Sequence, residues 1–231
     1  MDGPVETTEL VPRLEGSALG LARVELGDGV TWSPSLAGDD TLLWVVAGSG
    51  TLSLAGNSFV LEPSTAALVL AGERTTVEAS SPLRLLRITV GADADRHAPL
   101  GRRETTARLD GAGAEAATGA RSFQLLFGPH NGSTRATLFA GYIPPGKAPW
   151  HYHLYDEIVW VPEGPGRLHL GDGVQDLVAG AAFRLRPRQV HIVENASTDR
   201  ELAILGIFTP AGSPSAAYLS PEVAATYAFA G

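Results

Sequence analysis

The residues best suited to do chemistry lie in one short stretch, Trp150-His-Tyr-His-Leu-Tyr-Asp-Glu157. On an extended strand alternate side chains share a face, so His151 and His153 point the same way. Glu157 keeps that parity even if a turn intervenes. Two imidazoles and a carboxylate converging on one face suit a divalent first-row transition metal, with Fe, Mn, Ni, Cu and Zn all compatible. A fourth ligand-type residue, His191, stands 34 residues beyond Glu157 (191 − 157). Only a closed fold brings it to the same place. Tyr155 shares the ligand parity and is expected to face inward, where it joins Glu157 as a candidate catalytic residue. The chain contains no cysteine, so disulfides and thiolate ligands are excluded.

The elements that must position these groups read as short strands. Shifting the chain on itself by 116 positions (156 − 40) aligns Asp40-Thr-Leu-Leu-Trp-Val-Val-Ala-Gly-Ser-Gly50 with Asp156-Glu-Ile-Val-Trp-Val-Pro-Glu-Gly-Pro-Gly166. The same offset pairs Thr75-Thr-Val-Glu78 with His191-Ile-Val-Glu194. From residue 40 to 81 the copies agree at twelve of forty-two positions, where ordinary residue frequencies give about three. Two segments that hold one offset over this length imply duplication. In each copy a β-rich run, Leu42–Val46 or Ile158–Val161, ends at paired glycines, Gly48/Gly50 or Gly164/Gly166. An alternating segment follows, Thr51–Leu54 or Arg167–Leu170, and each pair is expected to form a hairpin. Ala66–Leu70, Leu83–Val90, Ala181–Leu185 and Leu202–Phe208 extend the pattern. Only Pro221–Tyr227 suggests a turn of helix.

Many short strands, duplicated, predict an all-β pair of jelly rolls or barrels. The expected organisation is a unit over residues 1–95, a connector over 96–120 and a second unit over 121–231. The connector region is rich in small and polar residues, with Thr105–Leu109 as a possible strand. A formal net charge of −8 and a pI near 5.2 argue against binding nucleic acid or an anionic membrane surface. No basic, apolar leader opens the sequence and no long apolar span occurs, so a cytoplasmic protein is expected.

The spacing His151-x-His153, three residues, Glu157, six residues, Gly164 resembles the first motif of the cupin superfamily. The second cupin motif runs Gly, five residues, Pro-x-Gly, two residues, His, three residues, Asn. Gly180, His191 and Asn195 hold those places, while Arg186 and Arg188 replace the Pro and the Gly. The resemblance implies a bicupin, two tandem double-stranded β-helix barrels. It also implies that His151, His153, Glu157 and His191 ligate one metal ion in the second. At the 116 offset the first unit offers Ser35, Ala37, Thr41 and Thr75, poor partners for a transition metal, so that site is expected to be degenerate.

Other residues are read against this frame. His97 and His130 are expected in exposed or turn positions, and His169 either lines the pocket or faces outward. Trp44, Trp150 and Trp160 are expected to pack the core. Arg184 and Arg186 share a face: on the inner one they would bind an anionic substrate, but Phe183 and Leu185 are expected to fill the interior, which puts the arginines on the solvent side. Asn195 is expected to hydrogen-bond near the site. Three neutral imidazoles and one carboxylate leave a divalent ion a net charge of about +1 and open positions. That combination suits a dioxygenase-type oxidoreductase acting on a small enolic, phenolic or carboxylic substrate. It equally suits redox-neutral Lewis-acid catalysis by an isomerase, cyclase or lyase, or a non-catalytic small-molecule-binding metal protein. Homodimerisation is the expected state on base rates.

Overall fold

The structure, a computed structural model, describes residues 4–110, 115–116, 121–171 and 173–219. The terminal helical turn expected at Pro221–Tyr227 lies outside the described residues. The first unit contains β1 (Val5–Val11), β2 (Leu19–Leu26), β3 (Thr31–Trp32), β4 (Asp40–Ala47), β5 (Gly50–Leu54), β6 (Asn57–Leu61), β7 (Thr65–Val69), β8 (Thr75–Ala79) and β9 (Leu83–Val90). Two short strands follow, β10 (Thr106–Arg108) and β11 (Glu115–Ala116). The second unit contains β12 (Ser122–Phe127), β13 (Thr137–Ile143), β14 (His151–Tyr152), β15 (Asp156–Trp160) and β16 (Gly166–Leu170). It ends with β17 (Gly173–Leu177), β18 (Ala182–Leu185), β19 (His191–Asn195), β20 (Leu202–Thr209) and β21 (Tyr218–Leu219). Adding 116 to the bounds of β5, β6 and β8 gives those of β16, β17 and β19, so the duplication extends to the strands themselves.

Each unit is two antiparallel sheets. The first pairs a six-stranded sheet, β1-β2-β9-β4-β7-β10, with a four-stranded one, β3-β8-β5-β6. The second pairs β11-β12-β13-β20-β15-β18 with β17-β16-β19-β14-β21. The connector therefore supplies β10, which pairs with β7 over Thr106–Arg108 as the Thr105–Leu109 reading expected.

The paired-glycine segments are not hairpins. Strand β4 pairs with β7 and β9, whereas β5 pairs with β6 and β8. In the second unit β15 pairs with β18 and β20, and β16 with β17 and β19. The glycines mark where the chain crosses from one sheet to the other. Gly48 adopts φ +83°, and a Cβ there would meet the Pro82 carbonyl oxygen at 2.0 Å; at Gly50 it would meet that of Glu78 at 2.5 Å. Tight backbone approach at the barrel corner, and not a two-residue turn, explains the glycines.

Burial on both faces explains why β4 reads as a continuous apolar run. Leu42 and Trp44 join a core with Leu86 and Ile88 that extends into the second unit through Leu138, Ile158, Trp160, Leu205 and Ile207. Leu43 and Val45 face the interior of the first barrel with Leu52, Val69 and Val77. Parity on β15 is the same. Ile158 and Trp160 point to the shared core, while Val159 points into the second barrel with Phe183, Leu185 and Val193. The two six-stranded sheets thus pack against each other and close a barrel apiece.

A buried ion pair and the hydrogen bonds of a second buried arginine cross that seam. Arg135 Nη1 lies 3.3 Å from Asp40 Oδ1 and donates to the Gly38 carbonyl at 3.1 Å. Arg184 was expected in solvent, but its side chain is 8% exposed. It lies on the outer face, as Phe183 and Leu185 require, and the first unit covers that face. It donates to Asp156 Oδ2 at 2.6 Å and to the Leu19 carbonyl at 2.8 Å, and also reaches Ser17 Oγ.

In the first barrel two of the positions equivalent to the ligands use their hydroxyls in local bonds, while Thr75 Oγ1 is buried without a hydrogen-bond partner. Ser35 Oγ accepts from the Thr75 amide at 2.9 Å, and Thr41 Oγ1 donates to the Pro34 carbonyl at 3.2 Å. Among the described residues no helix is long and apolar enough to cross a membrane.

Because one core serves both barrels, Ile158→Ala is expected to destabilise the whole chain by about 2–5 kcal/mol. Urea unfolding followed by fluorescence of the tryptophans in both units should show one transition moved to lower denaturant. Two transitions, with only one displaced, would contradict the shared core.

Candidate metal centre

The second barrel brings the four sequence-predicted ligands to one end of its interior, from both sheets. His151 on β14 pairs directly with His191 on β19, and the chain leaves β14 before His153. It bends through Leu154 and Tyr155 and enters the other sheet at β15, which carries Glu157. The imidazole centroids of His151 and His191 are 4.5 Å apart, and those of His153 and His191 4.9 Å. All four side chains are buried. His191, 34 positions beyond Glu157, thus stands beside the rings of His151 and His153.

Hydrogen bonds fix which nitrogen of each ring faces the site. Nδ1 of His151 bonds the Pro149 carbonyl at 2.9 Å, Nδ1 of His153 that of Tyr155 at 3.1 Å, and Nδ1 of His191 that of Gln189 at 2.8 Å. A carbonyl only accepts, so each Nδ1 carries a proton, and in a neutral ring Nε2 keeps its lone pair. The consequence is sharpest at His153. Its Nε2 is buried without a hydrogen-bond partner, yet stands 2.8 Å from Glu157 Oε2. Two acceptors face one another at contact distance, an arrangement that a cation between them would relieve.

Burial keeps the rings of His151 and His191 neutral. Desolvation is the largest influence on His151, aided by Arg121 and His153, and holds its pKa down to about 4. Desolvation also dominates at His191, followed by His151, and holds it to about 3. Neutral imidazole is the form that ligates a metal. As placed, no three His, Cys, Asp or Glu side chains among the described residues form a ready-made cation cage. What the site offers is the donor set and the direction of its lone pairs. Those fit a divalent first-row ion.

Arg188 stands where the cupin motif has glycine, and its φ of +65° shows that the turn keeps the left-handed conformation a glycine would take. Its amide donates to the His153 carbonyl at 2.7 Å, tying the turn before His191 to the ligand loop. The departure from the motif therefore costs strain while the turn keeps its left-handed conformation.

A cavity of about 80 Å³ opens onto the ligands. Tyr155 lines it, as its parity suggested, stacked between His153 at 4.1 Å and Phe208 at 4.0 Å. Burial, and then the charge of Glu157, push the Tyr155 phenol pKa up, so it stays protonated at neutral pH. Phe123, Phe139 and Ile204 supply apolar wall, and Arg121 also lines the cavity. The segment Pro214–Ala217 covers part of the mouth. Next to it β21 adds to β14, and Tyr218 stacks on Tyr152 at 5.5 Å.

Arg121, Phe123 and Phe139 were not singled out from sequence. Arg121 follows a low-complexity stretch, and its counterpart at the 116 offset is Val5, so duplication gave no hint. Parity with Phe123 on the strand it enters was the available signal. His97 and His130 are exposed as expected. His169 faces away from the cavity but is buried, bonding Glu194 Oε2 at 2.5 Å. Trp150 is half-buried with its edge on the His169 ring, not in the core; it points outward because His151 points in. Trp44 and Trp160 do pack the core. Asn195 bonds the carbonyls of Ile143 and Arg200 at 2.8 and 2.7 Å and so ties strands together, without bonding a ligand residue.

With metal removed by chelation, stability should fall as pH drops below 6.5. The unfolded chain then protonates His151 and His191, while the folded chain resists until about 4 and 3. Melting temperature measured between pH 7 and 5 should decline, and His151→Gln should flatten part of that slope. A slope unchanged by the substitution would contradict the assignment.

Known proteins give the frame for this geometry. Residues 140–208 match the sequence model of the cupin domain. Among curated proteins no sequence matches. Solved structures do. A cupin 2 conserved barrel domain protein from Leptotrichia buccalis superposes with a TM-score of 0.65 at 15% identity, covering 90% of each chain. The putative glyoxylate induced protein from Pseudomonas aeruginosa gives 0.73 at 16% identity, over 89% of this chain and 80% of that one. A mutant of oxalate decarboxylase from Bacillus subtilis gives 0.71 at 13% identity, over 98% and 80%. At such identities the likeness is one of fold. The chain has the bicupin fold, and its second barrel carries a cupin domain.

Proposed function

We propose that the second barrel is a metal centre, with His151, His153, Glu157 and His191 as ligands of one divalent transition ion. We further propose that the chain is a metal-dependent enzyme acting on a small molecule. The observation that carries this reading is the buried, unbonded Nε2 of His153 facing a carboxylate oxygen at 2.8 Å. Its proton is committed to a backbone carbonyl on the far side of the ring.

Within that reading the favoured activity is oxidoreductase chemistry of dioxygenase type on an enolic, phenolic or carboxylic substrate. When bound, the ion supplies a Lewis acid that polarises a substrate oxygen and, as iron, a partner for O2. The chain's own residues do the rest. Backbone carbonyls hold the three imidazoles in one orientation. Apolar walls exclude water and strengthen electrostatic interactions inside. Tyr155, kept protonated by burial, offers a hydrogen bond to a substrate oxygen, and Glu157 is the carboxylate placed to accept a proton. Redox-neutral Lewis-acid catalysis uses the same ligands, and the identity of the metal separates the two. A cytoplasmic, homodimeric state is proposed with it.

Protein purified without added metal should contain close to one equivalent of a first-row transition ion by elemental analysis. His191→Ala and Glu157→Gln should each lower metal affinity by about 100-fold or more, ligand loss exceeding the 10–100-fold typical of outer-shell partners. Oxygen uptake by the iron-loaded protein with a small diketone or a catechol supports the dioxygenase reading. Turnover with zinc and no uptake favours the Lewis-acid one. Wild-type protein that takes up no metal contradicts both.

A further inference from the structure

One phenylalanine ring bounds the space beside the ligand carboxylate. Phe139 on β13 pairs with Gly206 on β20, one strand away from Glu157 on β15. A Cβ built at Gly206 would come within 2.3 Å of both Cε1 and Cζ of Phe139, and within 3.1 Å of Glu157 Oε1. The ring edge and the carboxylate therefore converge on one point. At Gly141 a Cβ would stand 3.3 Å from Phe139 Cε2. Two glycines leave the ring its room. The ring is also clamped. Its centroid lies 6.4 Å from that of Phe123 and 6.0 Å from that of Phe208, both in edge contact. Phe208 stacks on Tyr155, and Tyr155 on His153, so a continuous run of rings ends on a ligand. Phe139 is buried, and a ring held this way in a close-packed interior does not swing aside without disturbing its neighbours.

The cavity that this ring lines measures about 80 Å³. At the roughly 10–15 Å³ that one water needs, it accommodates on the order of six non-hydrogen atoms. We infer that Phe139 is the residue that sets substrate size, and that it restricts this centre to small aliphatic ligands and excludes one that carries a phenyl ring. The inference rests on the reading of the four ligands as a metal centre.

The test uses the full chain loaded with zinc, and calorimetric titration with two chelators that share one metal-binding group, acetohydroxamate and benzohydroxamate. The methyl of the first fits the cavity, and the phenyl ring of the second meets Phe139. Wild type should bind acetohydroxamate about tenfold or more tightly, the scale of forcing an oversized group into a packed site. Phe139→Ala should erase that preference by raising affinity for benzohydroxamate, and Phe139→Leu should reduce it part of the way. A wild type that binds both equally, favours benzohydroxamate or binds neither overturns the inference whether or not the variants fold. So does either variant, if it holds zinc and keeps the wild-type ratio. Zinc uptake is measured first: a wild-type chain that takes up none overturns the metal-centre reading itself, and the inference with it.

Discussion

Three hydrogen bonds set how the histidines of the second barrel present their rings. Each links a histidine Nδ1 to a backbone carbonyl, those of Pro149, Tyr155 and Gln189. A neutral imidazole has one proton, and placing it outward leaves a lone pair facing the interior. The acceptors are main-chain atoms of the loops beside the rings, so the orientation follows from the backbone and not from a mobile partner. Burial reinforces the choice by making the charged form costly, and rings held neutral can donate to a cation. Glu157 arrives from the other sheet with a negative charge, and the two halves of the barrel wall meet at one point.

That convergence needs a rigid frame, and the duplication provides it. The six-stranded sheet carrying Glu157 is buried on both faces, against the barrel interior on one side and the first unit on the other. Asp156, the residue before Glu157, is held by Arg184, which also bonds the main chain of the first unit at Leu19. The first barrel, whose own interior is filled by leucine and valine, thereby braces the strand that delivers the carboxylate. It packs the back of a wall whose front lines the cavity.

Much of this was legible in the sequence, for physical reasons that also mark where legibility ended. Strand parity placed His151, His153, Tyr155 and Glu157 on one side, because alternation survives the bend at Leu154. The constant offset between copies predicted matching strands, and β5, β6 and β8 recur in β16, β17 and β19. The glycine pairs misled. They signal tight backbone approach, and sequence does not distinguish a two-residue turn from a crossing between sheets. Arg184 misled for a related reason: parity gave the correct outer face, but only the packing of the units shows that this face is covered. Arg121 had neither a motif nor a counterpart in the other copy, and entered the site only through the path of the chain. Trp150 shows the reverse error, since an aromatic side chain on the outward parity beside a ligand packs on His169 and leaves the core to other residues.

The central claim is that the lone pairs of His151, His153 and His191, with the carboxylate of Glu157, hold one metal ion. Anomalous diffraction at the absorption edge of the metal found in the purified protein tests it most directly. The account predicts a single peak about 2.0–2.2 Å from each Nε2 and from a carboxylate oxygen of Glu157, with every Nδ1 still on its carbonyl. A peak elsewhere, or none at this position in crystals soaked with zinc or iron, would contradict it.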